Sequence, residues 1–237
     1  MKTVATTLAG STHIKNSIPC QDAVQVYRSE NFTIMVLSDG AGSKKYALES
    51  AELLTELTVD YFKDFLVKCP LDAFDGYLFS TYIEKCFYAK GYTAENAGAT
   101  LIFAVIIGNR YLIGHMGDGV AIIENSGGYS VVSYPENGEY INETFFFPGE
   151  NSHQHLRLTI GNLDSTSSAI LLTSDGISDF LYDYQSGEIA NVVRLMVSWA
   201  RDYSESKCVE VLRNNLRTIF SEYSADDKSI AIACTES

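Results

Sequence analysis

Apolar positions along the chain fall into two patterns, short unbroken runs and stripes that return every three or four residues. Phe32–Leu37 (FTIMVL) is a run ending in Ser38-Asp39-Gly40, and Ala169–Thr173 (AILLT) ends in Ser174-Asp175-Gly176. Both read as buried strands that enter a sharp loop. Between Tyr46 and Leu66 the period changes. Ala47, Ala51, Leu54, Thr58, Tyr61, Phe62 and Phe65 fall on one side, with Glu49, Glu52, Glu56, Asp60 and Lys63 on the other, which predicts an amphipathic helix. A second helix is predicted from about Leu71 to Lys90, with Gly91 as its stop. Thr100–Ile107 and Tyr111–His115 flank Gly108-Asn109, and Val120–Glu124 and Tyr129–Ser133 flank Asn125–Gly128. These predict two hairpins, because Gly and Asn tolerate positive φ. Stripes from Ile189 to Ala200 and from Cys208 to Phe220 predict another helix pair. Ser229–Cys234 closes the chain as a strand just behind Asp226-Asp227.

Strands, two helices, more strands and two more helices lack the regular alternation of a doubly wound parallel sheet. Their order predicts an α+β fold of stacked antiparallel sheets with helix pairs outside. No linker tract or internal repeat interrupts the sequence, so residues 1–237 are expected to form one domain.

Composition narrows the function. The chain is 46% hydrophobic and 12% aromatic, enough apolar surface to offset chain entropy and exclude disorder for most of it. Lys plus Arg number 17 against 30 Asp plus Glu, a net charge of −13. Such a surface repels phosphate backbones and anionic lipid, so neither nucleic acid nor membrane is an expected partner. It also favours carboxylates that hold a divalent cation. The five cysteines, Cys20, Cys69, Cys86, Cys208 and Cys234, are scattered without a CxxC pair and are expected to pack as reduced thiols. No apolar run approaches the ~18 residues of a membrane span. MKTVATTLAGS lacks the apolar stretch of a signal peptide, so the expected location is cytoplasmic.

The candidate chemistry is acidic. Asp22, Asp39, Asp118 and Asp175 lie at strand edges or ends, Gly follows the last three, and Asp226 directly precedes the closing strand. A sheet holds such a carboxylate rigidly, as Mg2+ or Mn2+ requires, while Gly allows backbone to approach a ligand closely. Asp-Gly is also a common turn dipeptide, so each one alone reads more readily as a turn than as a ligand.

Taken in order, the motifs carry more. GSTH at 10–13, PCQDA at 19–23, LSDGAGS at 37–43 and GATL at 98–101 come first. GHMGDG at 114–119, LLTSDGISDFL at 171–181 and ADDKSIAI at 225–232 follow. This series, spread over nearly the whole chain, resembles the metal-dependent type 2C protein Ser/Thr phosphatases in their compact bacterial form. The resemblance implies a four-layer α-β-β-α sandwich with a two-ion Mg2+ or Mn2+ site between its sheets and a third, weaker ion. It implies that Asp39 bridges the two ions, that the Gly40 carbonyl binds the second, and that Asp175 and Asp226 complete the first. Asp22 matches the acidic residue of the first motif, Asp118 the support of the third ion, and Asp227 a position that orients its neighbour. It further implies a monomeric phosphoprotein phosphatase acting on a Ser/Thr kinase or its targets.

Three departures weigh against full activity. Gln21 stands where larger members have Glu, giving a weaker metal ligand or a ligand to metal-bound water. Ala41 replaces a His proposed as proton donor. Ser17 replaces the phosphate-binding Arg, which leaves His13 and Lys15 as the nearest substitutes, though each reads equally well as a solvated loop residue. A catalytically weak phosphoprotein-binding module is therefore the alternative, and a small phosphate-ester hydrolase a third reading. A flap is expected at about residues 136–155. Its Phe145-Phe146-Phe147 suits a lid over the site or a core strand equally.

Overall fold

The computed structural model describes residues 1–136, 144–149, 151–164 and 167–236. The elements run β1 (Lys2–Leu8), α1 (Ser11–Asn16), β2 (Asp22–Arg28), β3 (Phe32–Asp39), α2 (Ala47–Lys68) and α3 (Gly76–Ala89). Then come β4 (Leu101–Ile107), β5 (Arg110–Met116), β6 (Val120–Asn125), β7 (Gly128–Ser133), α4 (Ser152–His155) and β8 (Arg157–Asn162). The chain ends with β9 (Ala169–Thr173), α5 (Asp175–Ser178), α6 (Asn191–Asp202), α7 (Glu205–Thr218) and β10 (Lys228–Cys234). One sheet has the order β1-β10-β9-β6-β7 and the other β2-β3-β4-β5-β8, with every pairing antiparallel.

The central strands carry long apolar runs because both of their faces are covered. In β3, Met35 and Leu37 pack between the sheets, while Ile34 and Val36 pack outward under α2 and α3. In β10, Ala231 and Ala233 face the partner sheet and Ile230 and Ile232 face α6 and α7. This period of two builds three separate cores, one between the sheets and one beneath each helix pair. The result is the expected four-layer α-β-β-α sandwich.

Both predicted hairpins form, at Gly108-Asn109 (Gly108 φ 58°) and at Ser126-Gly127. The helix predicted over Leu71–Lys90 is shorter. Leu71–Ala73 is a 3-10 turn, and the helix starts only at Gly76 because Asp75 caps it, accepting from the backbone N–H of Tyr77 (2.8 Å) and Leu78 (3.1 Å). The strands β1, β2 and β8 and the short α1 add to the elements that periodicity predicts.

Of the expected flap, residues 137–143 and 150 lie outside the described residues. Its three Phe divide their duties. Phe147 is fully buried in the core beneath α3 and bridges Ala99 in antiparallel fashion, Phe145 stacks on His155, and Phe146 lines the cavity described below. Phe147→Ala is expected to lower stability by about 3–5 kcal/mol, the usual cost of emptying a phenyl site. Chemical denaturation would show it as a lower midpoint with an unchanged slope.

Candidate metal centre

Strand parity aims the acids. Asp39 shares the parity of Met35 and Leu37 and so faces the partner sheet, and Asp22 lies opposite it in the β2–β3 register. From that partner sheet, Asp175 follows β9, while Asp118 lies where the chain crosses from β5, in the sheet of β3, to β6 in the partner sheet, just after Gly117 (φ 118°), a turn that favours glycine. Asp226 and Asp227 precede β10, the neighbour of β9. The ends of both sheets thereby deliver their carboxylates into the gap between them.

One carboxylate oxygen from each of Asp39, Asp118 and Asp175 lies within 4.8 Å of the other two. These residues line a cavity of about 240 Å3, together with Asp226, Asp227, Gln21, Gly40 and His13. No Lys or Arg is among its described lining residues. Asp226 is exposed at the rim, whereas Asp22 is buried just behind the cavity.

Hydrogen bonds fix the cluster. The Asp39 backbone N–H donates to Thr100 Oγ1 (3.0 Å), Thr100 N–H donates to the Asp39 carbonyl (2.8 Å), and Ser38 Oγ donates to the Thr100 carbonyl (2.6 Å). Ser174 Oγ donates to Asp22 Oδ2 (2.9 Å) across the sheets, and Thr144 Oγ1 donates to Asp118 Oδ2 (2.8 Å). Lys228, fully buried, donates to the carbonyls of Ser224 (2.8 Å) and Asp226 (2.7 Å), which ties down the acidic loop from beneath. Asp227 is saturated. Its Oδ1 accepts from Gly10 N–H (2.6 Å) and its Oδ2 from Gln21 N–H (2.5 Å), with His13 Nδ1 also on Oδ2 (2.8 Å).

Two of the glycines also meet a packing demand. A Cβ on Gly40 would meet the Ala47 carbonyl oxygen at 2.4 Å, and one on Gly176 would meet the Asp227 carbonyl oxygen at 1.9 Å. They let backbone pack on backbone directly behind the acids. The sequence reading missed the Ser and Thr partners and Lys228. Their only signals were a Ser directly before Asp39 and before Asp175 and a lone Lys entering an apolar strand; Thr100 and Thr144 carried none. Lys15 sits on an exposed face of α1 and does not line the cavity. Cys20 is half-buried, and burial with Asp22 and Asp227 nearby pushes its thiol up to about 12, so it is protonated and unsuited to nucleophilic attack.

Carboxylates this close repel. Burial first, then Asp22 and Asp175, hold the Asp39 carboxyl well above the ordinary range. Burial pushes Asp22 up to about 7, and burial with Asp118 pushes Asp175 up to about 6. Asp22 Oδ1, Asp175 Oδ1 and Gln21 Oε1 are buried with no hydrogen-bond partner among the described residues. Acceptors left over, in a cluster that repels itself, fit a divalent cation. Such a cation would supply the charge the cavity lacks.

Residues 9–220 match the sequence model of the Protein phosphatase 2C family. The chain belongs to that family. Among solved structures it is similar to a bacterial serine phosphatase at 17% identity and TM-score 0.74, over 100% of this chain and 98% of that one. It is equally similar to the serine/threonine phosphatase Stp1 from Staphylococcus aureus, at 17% identity and TM-score 0.74 over 100% and 96%. RsbX in complex with magnesium aligns at 15% identity and TM-score 0.61 over 97% and 92%. No curated protein matches the chain significantly in sequence. Membership of this phosphatase 2C family supports a metal-dependent protein phosphatase with phosphoprotein substrates. No helix among the described residues is long and apolar enough to cross a membrane.

Proposed function

We propose that the chain is a Mg2+- or Mn2+-dependent protein phosphatase. It hydrolyses phosphoserine and phosphothreonine in the cytoplasm, by direct attack of water and without a covalent enzyme intermediate. The convergence of Asp39, Asp118 and Asp175 in a cavity with no Lys or Arg among its described lining residues carries this reading, because a phosphate dianion would be expelled from such a site unless cations occupied it first.

Asp39, Asp175 and Asp226 would hold one ion, Asp39 and the Gly40 carbonyl a second with Asp22 and Gln21 behind it, and Asp118 a third. Bound there, such ions acidify water and neutralise charge on the phosphoryl oxygens. The chain's own contribution is rigidity. Thr100 and Ser38 fix the Asp39 backbone, Ser174 orients Asp22, and Thr144 orients Asp118. Phe146 adds an apolar side chain to the cavity wall. Asp227 spends both oxygens on the chain and orients the loop that carries Asp226, in keeping with the organising role that the resemblance implies for it.

Phosphate release from a phosphothreonine peptide and from p-nitrophenyl phosphate tests the reading. Turnover is expected with Mn2+ or Mg2+ and none in EDTA. Turnover that survives EDTA would overturn the metal assignment. Silence with every metal, in protein shown to be folded, would leave the phosphoprotein-binding module as the better account.

A further inference from the structure

A phosphoserine leaves as an alkoxide, which needs a proton as its bond to phosphorus breaks, and the cavity offers few groups able to give one. Its carboxylates would be committed to cations or, at Asp227, to bonds with the chain, and position 41 is an alanine. Among its described lining residues one imidazole is present, that of His13. The other histidines in reach are occupied elsewhere. His115 is buried against Ser133 and Arg157, and His155 is stacked on Phe145 beside a neighbouring cavity.

We propose that His13 is the proton donor to the leaving group, held for that task by Asp227. The inference rests on the phosphatase reading above. Three observations carry it. His13 Nδ1 lies 2.8 Å from Asp227 Oδ2, whose side chain is only 5% exposed. That carboxylate also accepts the backbone N–H of Gly10 and Gln21, so its position is set by the chain on either side of α1 and does not depend on the imidazole. Finally, the His13 side chain is 21% exposed and borders the cavity, so it is open to a substrate. With Nδ1 turned to that carboxylate, Nε2 is the ring nitrogen left to hand a proton to the substrate, the same division of labour by which a buried Asp orients a catalytic His in other hydrolases.

The step balances. The oxygen of water bonds to phosphorus as the bond from phosphorus to the serine Oγ breaks. The electron pair passes to Oγ, which takes the proton from His13 Nε2. The proton released by the attacking water returns to the imidazole through solvent, so His13 ends as it began. With p-nitrophenyl phosphate the leaving phenolate is stable unprotonated at neutral pH, and this service matters little.

The test compares leaving groups. In the Mn2+-loaded protein, His13→Ala is expected to lower kcat on a phosphoserine peptide on the order of 100-fold, the usual worth of a positioned general acid. The loss on p-nitrophenyl phosphate should be at least about tenfold smaller. His13→Gln keeps a donor to Asp227 without a transferable proton, so it should show the same split even if the alanine variant folds poorly. Calorimetric affinities for Mn2+ and for inorganic phosphate should stay within about threefold of the parent in both variants. Equal losses on the two substrates would overturn the proposal in favour of a structural role. A raised KM with weakened phosphate binding and unchanged kcat would overturn it in favour of phosphate binding. An unmutated protein that is inactive with every metal would instead remove the phosphatase reading on which the proposal stands.

Discussion

Asp39→Asn is expected to abolish phosphate release, by on the order of 1,000-fold or more, while making the metal-free protein more stable. The two effects share one cause. Asp39 is the carboxylate against which both Asp22 and Asp175 press, and its carboxyl is held well above the ordinary range by burial and by those charges. Asparagine has nearly the same shape, and the bonds that place residue 39 run through its backbone to Thr100, so the loop should survive the change. What disappears is the charge that would hold the cations, and with it the repulsion that the empty site carries. Thermal unfolding in EDTA at pH 8 should give a Tm a few degrees above the parent, and saturating Mn2+ should no longer raise it as it does in the parent. A variant that keeps its turnover, or one that melts lower in EDTA, would sink the assignment of Asp39 as the shared ligand.

The sequence made the middle of each sheet plain and hid its margins. Phe32–Leu37, Thr100–Ile107, Ala169–Thr173 and Ser229–Cys234 are apolar on both faces because both faces are covered, and a continuous apolar run is hard to miss. The strands that periodicity left out, β1, β2 and β8, are all at sheet edges. There one face is partly wet, and KTVATTL, DAVQVYR and RLTIGN mix Thr, Gln and Arg among few large apolar residues. The candidate site divides in the same way. Asp39, Asp118 and Asp175 announce themselves by standing at the ends of buried runs. Nothing in the spacing says that Asp227 spends both oxygens on Gly10, Gln21 and His13, because those partners lie more than 200 residues away in sequence. The expected flap shows a third limit. Three consecutive Phe carry no period, so only tertiary packing distinguishes Phe147 in the core from Phe146 at the cavity wall.

The metal-free protein is expected to lose stability between about pH 4 and pH 7, and divalent cations should restore most of that loss. In the unfolded chain the carboxyls of Asp22, Asp39 and Asp175 titrate near 3.8, whereas in the fold Asp22 is pushed up to about 7 and Asp175 to about 6. A group whose pKa is raised by folding leaves the native state holding more protons than the unfolded state throughout that interval. Its contribution is therefore full below the unfolded value and disappears as pH climbs through the folded one. The carboxyls titrate as a set. A shift of about three units, as at Asp22, corresponds to about 4 kcal/mol, or a Tm lower by roughly 10 °C for a chain of this size. His115 pulls the other way, since burial and Arg157 depress its pKa and its contribution is lost as pH falls below 6.5. The informative quantity is therefore the difference between two melting curves, one in EDTA and one in saturating Mn2+, because His115 contributes equally to both. That difference should be small at pH 5 and widen steadily to pH 8, as cations replace the protons that the acids can no longer keep. A gap that is flat across this range, or that narrows as pH rises, would show that these carboxylates are neither raised by one another nor relieved by a metal.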